Sequence, residues 1–291
     1  MISVVIPLYN KEKSITTTLE SVLAQTYTDY EVVVVDDGST DNSANIVRKL
    51  VNEKIRLISQ PNGGVSAARN TGIMSANGEY VAFLDGDDIW DKDFLKELVA
   101  LIEEYPGRSI YGLGIACIRG NQIPKCKEEE YYRGDIHWDW TVIVPSGSSA
   151  CVRRQDAIDV GMFDTRMTHG EDMDMWWRLV LKNGGACYSK SYAYYRLDAE
   201  NRAMHRVVPL EKHIPYYMDK YAEARAANAQ FRKYCDENMV FRLYPYLFDK
   251  RYKNEARKIA RKLDYSQMKW SMHFRMCFPR LYNFFQKHKL L

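Results

Sequence analysis

Hydrophobic and polar positions follow two alternating periods through the first hundred residues of the chain. Four short apolar runs predict buried strands, at residues 3–6, 31–35, 55–59 and 80–84. After each run, apolar residues recur at helical spacing and predict helices around residues 15–23, 46–50, 65–73 and 92–104. The second of these helices should be capped by Asp41 or Ser43. Because the strands are apolar on both faces and alternate with helices, we expect a mostly parallel sheet covered by helices on both faces.

Polar clusters follow the ends of all four predicted strands. They occupy residues 7–10, 36–41, 61–64 and 85–88. In a parallel sheet the ligand crevice lies beyond the carboxyl ends of the strands. The sequence therefore predicts that these clusters form one site at one edge of the sheet.

The loop after the fourth strand is the most acidic of these clusters. It carries Asp85, Asp87, Asp88 and Asp91. Carboxylates at the end of a buried strand are hard oxygen ligands that suit a divalent cation. The alternative for Asp88 or Asp91 is the N-cap of the next helix. One cap needs one acid, so capping does not account for all four.

The second part of the chain, about residues 106–204, has a more mixed pattern. Strands are predicted at residues 109–118, 148–152 and 192–195, with a turn at Gly120-Asn121 and an aromatic loop or short helix at residues 137–140. A short helix should follow Arg153-Arg154 and end at Gly161. The next helix begins near His169 and carries three acids in its first turn, for which capping through the helix dipole stays an equal alternative.

Composition adds an uneven charge distribution. From residue 242 onward there are 13 Lys or Arg and three acids, a net charge of +10, so the first 241 residues carry −7 of the overall +3. This asymmetry suggests an anionic partner for the C-terminal region. That region, residues 205–291, is rich in aromatic and basic residues with helical periodicity, and we expect a helical appendage there.

Cysteine spacing and hydropathy indicate which metal or redox motifs are absent and where in the cell the protein is expected. The six cysteines include no C-x-x-C pair, which disfavours a zinc site or a thioredoxin-like motif. No signal-peptide pattern is visible, and no apolar run approaches the roughly 20 residues that span a bilayer. We therefore expect a cytoplasmic protein, either free or peripheral on the inner face of the membrane.

Six motifs together resemble the family 2 glycosyltransferases. They occur in the family's order and read Val4-Val-Ile-Pro-Leu-Tyr-Asn10, Val35-Asp-Asp-Gly-Ser-Thr-Asp41, Asn62-Gly-Gly64, Ala68-Arg-Asn70, Phe83-Leu-Asp-Gly-Asp-Asp88 and Gly170-Glu-Asp172. The resemblance implies a GT-A fold over residues 1–204. Its nucleotide-binding part would occupy about residues 1–105 and its acceptor-binding part about residues 106–204.

The resemblance also implies a donor-binding set. It consists of Pro7, Leu8, Tyr9, Asp37, Asn62, Gly64, Arg69, Asp85 and Gly86. Asp37 would accept a hydrogen bond from the uracil ring, beside a wall formed by residues 7–9. Asp85 would face the ribose. For Arg69, an ion pair with nearby acids is favoured over a phosphate contact.

A metal is implied at the D-x-D element. Asp87 would coordinate a Mg²⁺ or Mn²⁺ bound to the donor diphosphate, where the cation stabilises the leaving charge. Many relatives carry a His soon after the Tyr-Tyr-Arg segment, whereas this chain has Leu197-Asp198. His205 comes later, which leaves a third protein ligand open. Asp88 is expected to be a helix cap or a support for its neighbours.

The Glu-Asp pair supplies the implied catalytic residues. Asp172 would take the proton of the acceptor hydroxyl in a single displacement that inverts the anomeric centre, and Glu171 would orient the acceptor or the base. Trp176 or Trp177 could line the acceptor, although core positions are the more frequent role of such residues. The processive Gln-x-x-Arg-Trp element is absent, so single addition is favoured.

The sequence therefore predicts a metal-dependent enzyme that moves a sugar, from UDP in the first instance, to a glycan or lipid-linked acceptor in cell-surface polysaccharide synthesis. The alternative is a non-catalytic module that binds nucleotide sugars. A nucleotidyltransferase or dinucleotide enzyme is disfavoured, since no glycine-rich phosphate loop follows the first strand. The C-terminal region would meet anionic lipid or another subunit. Nucleic acid is not an expected partner.

Overall fold

Compact packing divides the chain into two units. The computed structural model describes residues 1–119, 131–138, 145–199, 208–277 and 279. The first unit comprises the described residues within Met1–His137 and Thr141–Arg206. The second comprises those within Trp138–Trp140 and Val207–Leu291.

The first unit alternates strands and helices. Its strands are β1 (Ile2–Leu8), β2 (Tyr30–Asp36), β3 (Ile55–Ser59), β4 (Tyr80–Phe83), β5 (Ile89–Trp90), β6 (Ile110–Ile118), β7 (Arg133–Asp135), β8 (Ala150–Arg153) and β9 (Gly185–Arg196). Its helices are α1 (Ile15–Leu23), α2 (Ser43–Arg48), α3 (Val65–Ser75), α4 (Phe94–Glu104), α5 (Arg154–Asp159) and α6 (Glu171–Asn183). The four predicted strand–helix pairs are confirmed.

Among the described residues, the strands form one nine-stranded sheet. Its order is β3-β2-β1-β4-β8-β6-β9-β5, and β7 pairs with β9. The long pairings, β1 with β2 and β4, β2 with β3, and β6 with β9, are parallel. The antiparallel pairings span two or three residues each. The sheet is therefore mostly parallel, as expected.

Apolar residues on alternate positions of β1 serve the two faces of the sheet. Val4 and Ile6 belong to a cluster that includes residues of α1 and α4, whereas Val5 belongs to a second cluster with residues of α3 and α6. Strand side chains point alternately to opposite faces, so a strand that is apolar throughout needs cover on both. The helices supply that cover.

The predicted last strand was too short. β9 begins at Gly185 rather than Tyr192, because its middle carries half-buried polar residues that do not give an apolar pattern. Its register with β6 shifts around Gly114. A Cβ at Gly114 would lie 2.1 Å from the carbonyl oxygen of Ser189, so the close approach of the two strands requires glycine. The predicted turn at Gly120-Asn121 lies outside the described residues.

Two predicted helix caps are wrong. Asp93 occupies the N-cap of α4, so neither Asp88 nor Asp91 caps it. Asp91 instead supports the entry turn, where its Oδ1 accepts a hydrogen bond from the backbone N–H of Asp93 at 3.0 Å. Asn42 occupies the N-cap of α2, a position predicted for Asp41 or Ser43.

The second unit is helical in its described residues. Its helices are α7 (Ala222–Ala227), α8 (Ala229–Leu243), α9 (Lys253–Ala260) and α10 (Trp270–Cys277), with 3₁₀ turns at Leu210–Lys212, Ile214–Tyr221 and Tyr244–Leu247. Arg225 binds the buried carboxylate of Asp236 at 2.7 and 2.8 Å, which ties α7 to α8. Across the described parts of both units, every helix is too short or too polar to cross a membrane.

Candidate active site

A cavity of about 430 Å³ opens at the carboxyl ends of β1, β2 and β4. Its lining residues are Pro7, Leu8, Tyr9, Lys11, Asp37, Asn62, Gly64, Val65, Ala68, Arg69, Asp85, Gly86, Asp87, Thr168, Glu171 and Tyr195. Each polar cluster that follows a predicted strand contributes to it. The volume lies within the range usual for small-molecule sites.

Asp37 is held by neutral hydrogen-bond donors. Its Oδ1 accepts from Gln60 Nε2 at 2.8 Å and from the backbone N–H of Gly63 at 2.9 Å, and its Oδ2 accepts from the N–H of Gly64 at 2.8 Å. Gly64 sits at the N-cap of α3 with φ +87°, a backbone conformation that favours glycine. A carboxylate has about four acceptor positions, so the buried Asp37 can accept one more donor from the cavity.

Arg69 links the acidic loop to the start of α6. This buried side chain in α3 donates to Asp85 Oδ1 at 2.7 Å and to Glu171 Oε1 at 3.4 Å. Burial opposes the charged form, but Asp85 and Glu171 outweigh it and raise the pKa of Arg69 above its ordinary value. The geometry fits the ion-pair interpretation made from the sequence, and the same guanidinium also lines the cavity.

Lys11 is the counterion of Asp87. Its Nζ lies 2.6 Å from Asp87 Oδ2, and both side chains are largely buried. Lys11 follows the Tyr9-Asn10 pair, where Asn10 adopts a positive φ of 52° and its Oδ1 accepts from the backbone N–H of Thr40 at 2.8 Å. The strand-end position of Lys11 was visible in the sequence, but its ion pair was not predicted.

The acidic loop suits a divalent cation whose other ligands come from substrate. Within residues 1–119, 131–138, 145–199 and 208–277, no three His, Cys, Asp or Glu side chains cluster as a complete metal site. Mg²⁺ typically takes one or two carboxylates and fills its shell with phosphate oxygens and water. Asp87, the predicted ligand, fits that use, and His205 lies outside the described residues.

Asp88 points away from the cavity into the protein. Its Oδ2 accepts from Ser148 Oγ at 2.5 Å and its Oδ1 from the backbone N–H of Arg196 at 3.2 Å. Burial, with the charges of Asp85 and Asp87 adding to it, raises the pKa of Asp88 to about 8 despite these bonds. Of the two roles expected for Asp88, the supporting one fits this geometry.

The first turn of α6 separates its three acids. Glu171 lines the cavity, and Asp172 does not, although its Oδ1 accepts from the backbone N–H of Met173 at 2.7 Å. Asp174 is buried and pairs with Arg178, which makes it structural. Burial raises the pKa of Glu171, Asp172 adds to the rise, and Arg69 opposes it. Gly170, at the N-cap, has no side chain to cap the helix.

The two tryptophans of α6 are core residues. Trp176 packs against Phe83 and Phe163 with ring centroids 5.8 and 5.5 Å away, and Trp177 is fully buried. The structure thus gathers all predicted donor-binding residues, Asp87 and Glu171 around one cavity, while Asp172 flanks it. Sequence reasoning did not assign Lys11, Thr168 or Tyr195 to the site, although Lys11 directly follows the first motif and Tyr195 lies in the Tyr-Tyr-Arg segment.

Comparison with known proteins gives one family match. The profile described as "Glycosyl transferase family 2" matches residues 3–161. Glycosyltransferase GlyA of Streptococcus pneumoniae is 43% identical over 106 residues, which are 36% of this chain and 15% of GlyA. The poly(ribitol-phosphate) beta-N-acetylglucosaminyltransferase TarS of Staphylococcus aureus is 43% identical over 133 residues, 44% of this chain and 23% of TarS. The chain thus spans less than a quarter of either relative.

The crystal structure of S. aureus TarS residues 1–349 in complex with UDP-GlcNAc has a similar fold. It aligns with a TM-score of 0.64 at 24% identity, covering 98% of this chain and 75% of that one. The similarity confirms the predicted α/β architecture.

Proposed function

Because the chain belongs to glycosyltransferase family 2, we propose that it transfers a sugar from a nucleotide-diphosphate donor to a glycan or lipid-linked acceptor. One observation carries the proposal. A single cavity combines a buried acceptor for a base N–H, Asp37, with two acids and two cations, Lys11 and Arg69, where a diphosphate would lie. The two cations can stabilise the negative charge that develops on the leaving diphosphate, and the acids can hold a divalent cation beside it.

In the proposed reaction, the acceptor hydroxyl oxygen attacks C1 of the donor sugar. The bond from C1 to the diphosphate oxygen breaks, and its electron pair leaves with the nucleoside diphosphate. Asp172 takes the hydroxyl proton, and attack from the face opposite the nucleotide inverts the anomeric centre. Glu171, held by Arg69 at 3.4 Å, orients the acceptor side of the site.

A divalent cation, Mn²⁺ or Mg²⁺, would be held by Asp87 and would stabilise the negative charge of the departing diphosphate. Lys11 then has a second partner within reach, since the phosphates would lie beside its ion pair with Asp87. Lys11 and Arg69 keep positive charge at the phosphates throughout the transfer.

The TarS complex supports UDP-GlcNAc as the first donor to test. Transfer and donor hydrolysis should be measured over a panel of uridine, guanosine and thymidine diphosphate sugars, with Mn²⁺ or Mg²⁺, followed by linkage analysis of the product. If the enzyme adds single sugars in cell-surface polysaccharide synthesis, each acceptor should be extended by one sugar residue. Tight donor binding without any turnover would overturn the enzyme proposal and favour the binding module.

Two substitutions distinguish the base from its neighbour. Asp172→Asn should lower kcat by about 10²–10⁴-fold while nucleotide affinity stays near wild type, since a base acts on the acceptor. Glu171→Gln should cost less in kcat, because its carboxylate is committed to Arg69. The reverse ranking would assign the base to Glu171, whose raised pKa suits proton transfer near neutral pH.

A separate proposal concerns the second unit, where exposed cations lie on α9 and in the turn after it. Arg257, Lys258 and Arg261 are exposed, and Trp270 is 69% exposed with its ring stacked on Phe274 at 4.9 Å. Exposed cations and an exposed Trp on the same unit suit an anionic lipid surface, where a lipid-linked acceptor would reside.

Vesicles of phosphatidylcholine with or without phosphatidylglycerol test this proposal by co-sedimentation. Binding should require phosphatidylglycerol, weaken with salt and fall in Trp270→Ala and Arg257→Gln. Arg48→Gln, an exposed cation of the first unit, serves as the control. Sedimentation indifferent to lipid charge and salt would remove the proposal.

A further inference from the structure

The turn before β8 contacts the acidic loop from a distant part of the chain. Ser148 Oγ accepts from the backbone N–H of Asp85 at 3.2 Å and donates to Asp88 Oδ2 at 2.5 Å. The backbone oxygen of Ser148 accepts from Trp90 Nε1 at 2.7 Å. One buried serine thus bonds to the start and the end of the Asp85–Asp88 segment and to the strand that follows it.

Asp88 extends the same connection to β9 and α1. Its second carboxylate oxygen accepts from the N–H of Arg196, next to Tyr195, which lines the cavity. Its backbone oxygen accepts from Thr18 Oγ1 at 2.8 Å. The acidic loop, the turn before β8, β9 and α1 therefore meet at Asp88, a residue that is 1% exposed and does not itself line the cavity.

Gly147 shows how closely the turn approaches the site. A Cβ at this position would lie 2.8 Å from Arg69 Nη2 and 3.5 Å from Asp85 Oδ2. The turn is thus in contact with the ion pair that holds Asp85. A small displacement of Ser148 would therefore shift both ends of the acidic loop, Asp85 and Asp88.

From this geometry we propose that Ser148 and Asp88 act as one positioning pair, which fixes the Asp85 and Asp87 carboxylates for the donor diphosphate. The pair touches neither donor nor acceptor and acts through Asp85, Asp87 and Tyr195. The inference rests on the proposed function, because it assumes a nucleotide-diphosphate donor in the cavity. It assigns a role to two residues outside the cavity.

The test measures UDP affinity, donor KM, kcat and Tm in Ser148→Ala, Asp88→Ala and the double variant. Each single variant should weaken UDP binding and raise donor KM by about fivefold to tenfold, as for loss of one or two buried hydrogen bonds. Acceptor KM should stay at the wild-type value. The double variant should be no worse than either single one, since coupled residues are not additive.

A matched control is present elsewhere in the same unit. Ser109 Oγ donates to Asp156 Oδ2 at 2.8 Å, and both residues are buried. Ser109→Ala should lower Tm as Ser148→Ala does and leave UDP affinity unchanged. If Ser148→Ala and Asp88→Ala also change only Tm, the pair is merely structural and the inference is wrong.

Asp88→Asn covers the case in which the alanine variants do not fold. Its amide oxygen can accept from Arg196 and its NH₂ can donate to Ser148 Oγ, so UDP affinity should stay within about threefold of wild type. A loss of UDP affinity in Asp88→Asn with an unchanged Tm would contradict positioning by these hydrogen bonds. If wild-type protein binds no nucleoside diphosphate, the proposed function fails first, which separates the two failures.

Discussion

Two acidic loops lie at the same edge of the sheet and are held in opposite ways. Asp37, after β2, accepts three hydrogen bonds from neutral donors. Asp85 and Asp87, after β4, are each bound to a cation, Arg69 and Lys11. The first carboxylate is fixed by groups that cannot change charge. The second pair is balanced by cations, which a phosphate can attract elsewhere or a metal ion can displace.

The difference indicates a division of labour within the cavity. A hydrogen-bonded carboxylate with one acceptor position left suits recognition of a neutral base. Carboxylates balanced by cations suit a ligand whose own charge changes during reaction. The experiments below test that division, beginning with the largest expected effect.

Asp87→Asn and Asp37→Asn should separate the two loops. Asp87→Asn should lower kcat/KM by about 10²–10³-fold and abolish the dependence of UDP affinity on Mn²⁺, because the variant removes the proposed metal ligand. Asp37→Asn should weaken uridine and UDP by the same factor and leave the Mn²⁺ dependence intact. Calorimetry with both ligands, with and without Mn²⁺, measures this. If both variants changed uridine affinity and Mn²⁺ dependence in the same way, the proposed division between base recognition and diphosphate binding would be wrong.

Lys11→Met should reveal the exchange of partners at Asp87. Without the ammonium 2.6 Å away, Mn²⁺ affinity in the absence of nucleotide should rise about tenfold, since an ion no longer competes for the carboxylate. Donor kcat/KM should fall by a similar factor as a phosphate contact is lost. Lys11→Arg, which keeps the charge, is the control. Unchanged Mn²⁺ binding by electron paramagnetic resonance would argue against exchange.

Gly64→Ala tests the neutral loop by strain alone. No atom lies within 4 Å of the added Cβ, but φ is +87° and ψ is 165°, a backbone conformation almost restricted to glycine, so the substitution should cost about 1–3 kcal/mol of stability. Because the Gly64 N–H binds Asp37, uridine affinity should also fall severalfold. Gly161→Ala has the same φ and open space away from the cavity, and should lose only stability. Thermal unfolding and uridine binding, measured for both variants, distinguish a loss of stability from a loss of binding.

Glu31 is a carboxylate that serves structure only, and Glu31→Gln removes its charge. Burial raises the pKa of Glu31, but hydrogen bonds from Ser3, Asn77 and Arg56 outweigh it and lower that pKa below 4.5. The charged form therefore stabilises the fold at neutral pH, and this contribution is lost as pH falls below 4.5. The variant should lose about 2 kcal/mol at neutral pH, less in acid, with unchanged UDP affinity.

Local sequence was sufficient for the parallel half of the sheet and the position of the cavity. Apolar runs gave β1 to β4, and the rule on strand ends placed Asp37, Gly64 and Asp85 together. Those residues lie directly after the strands that position them, so chain order and spatial order agree. The assignment of Asp172 as base stays a prediction.

Partners distant in the chain could not be inferred in this way. Asp88 was expected to cap a helix or support its neighbours, but its two donors are 60 and 108 residues away. The ion pair of Lys11 with Asp87 spans 76 residues. In both cases a polar side chain followed a turn signal, where a solvent-facing role is equally consistent with the sequence. Only the order of strands in the sheet brings these partners together.

The long separation of Asp88 from its donors has a consequence for biosynthesis. Chains are made from the amino terminus, and domains begin to fold as they emerge. When α4 has left the ribosome, the predicted donor-binding motifs are complete, but neither Ser148 nor Arg196 has been made. The carboxylate of Asp88 must therefore wait for β9 before it has both of its donors, whereas Lys11 and Arg69, which bind Asp87 and Asp85, have already been made. During synthesis the acidic loop thus acquires the partners of Asp85 and Asp87 well before it acquires those of Asp88.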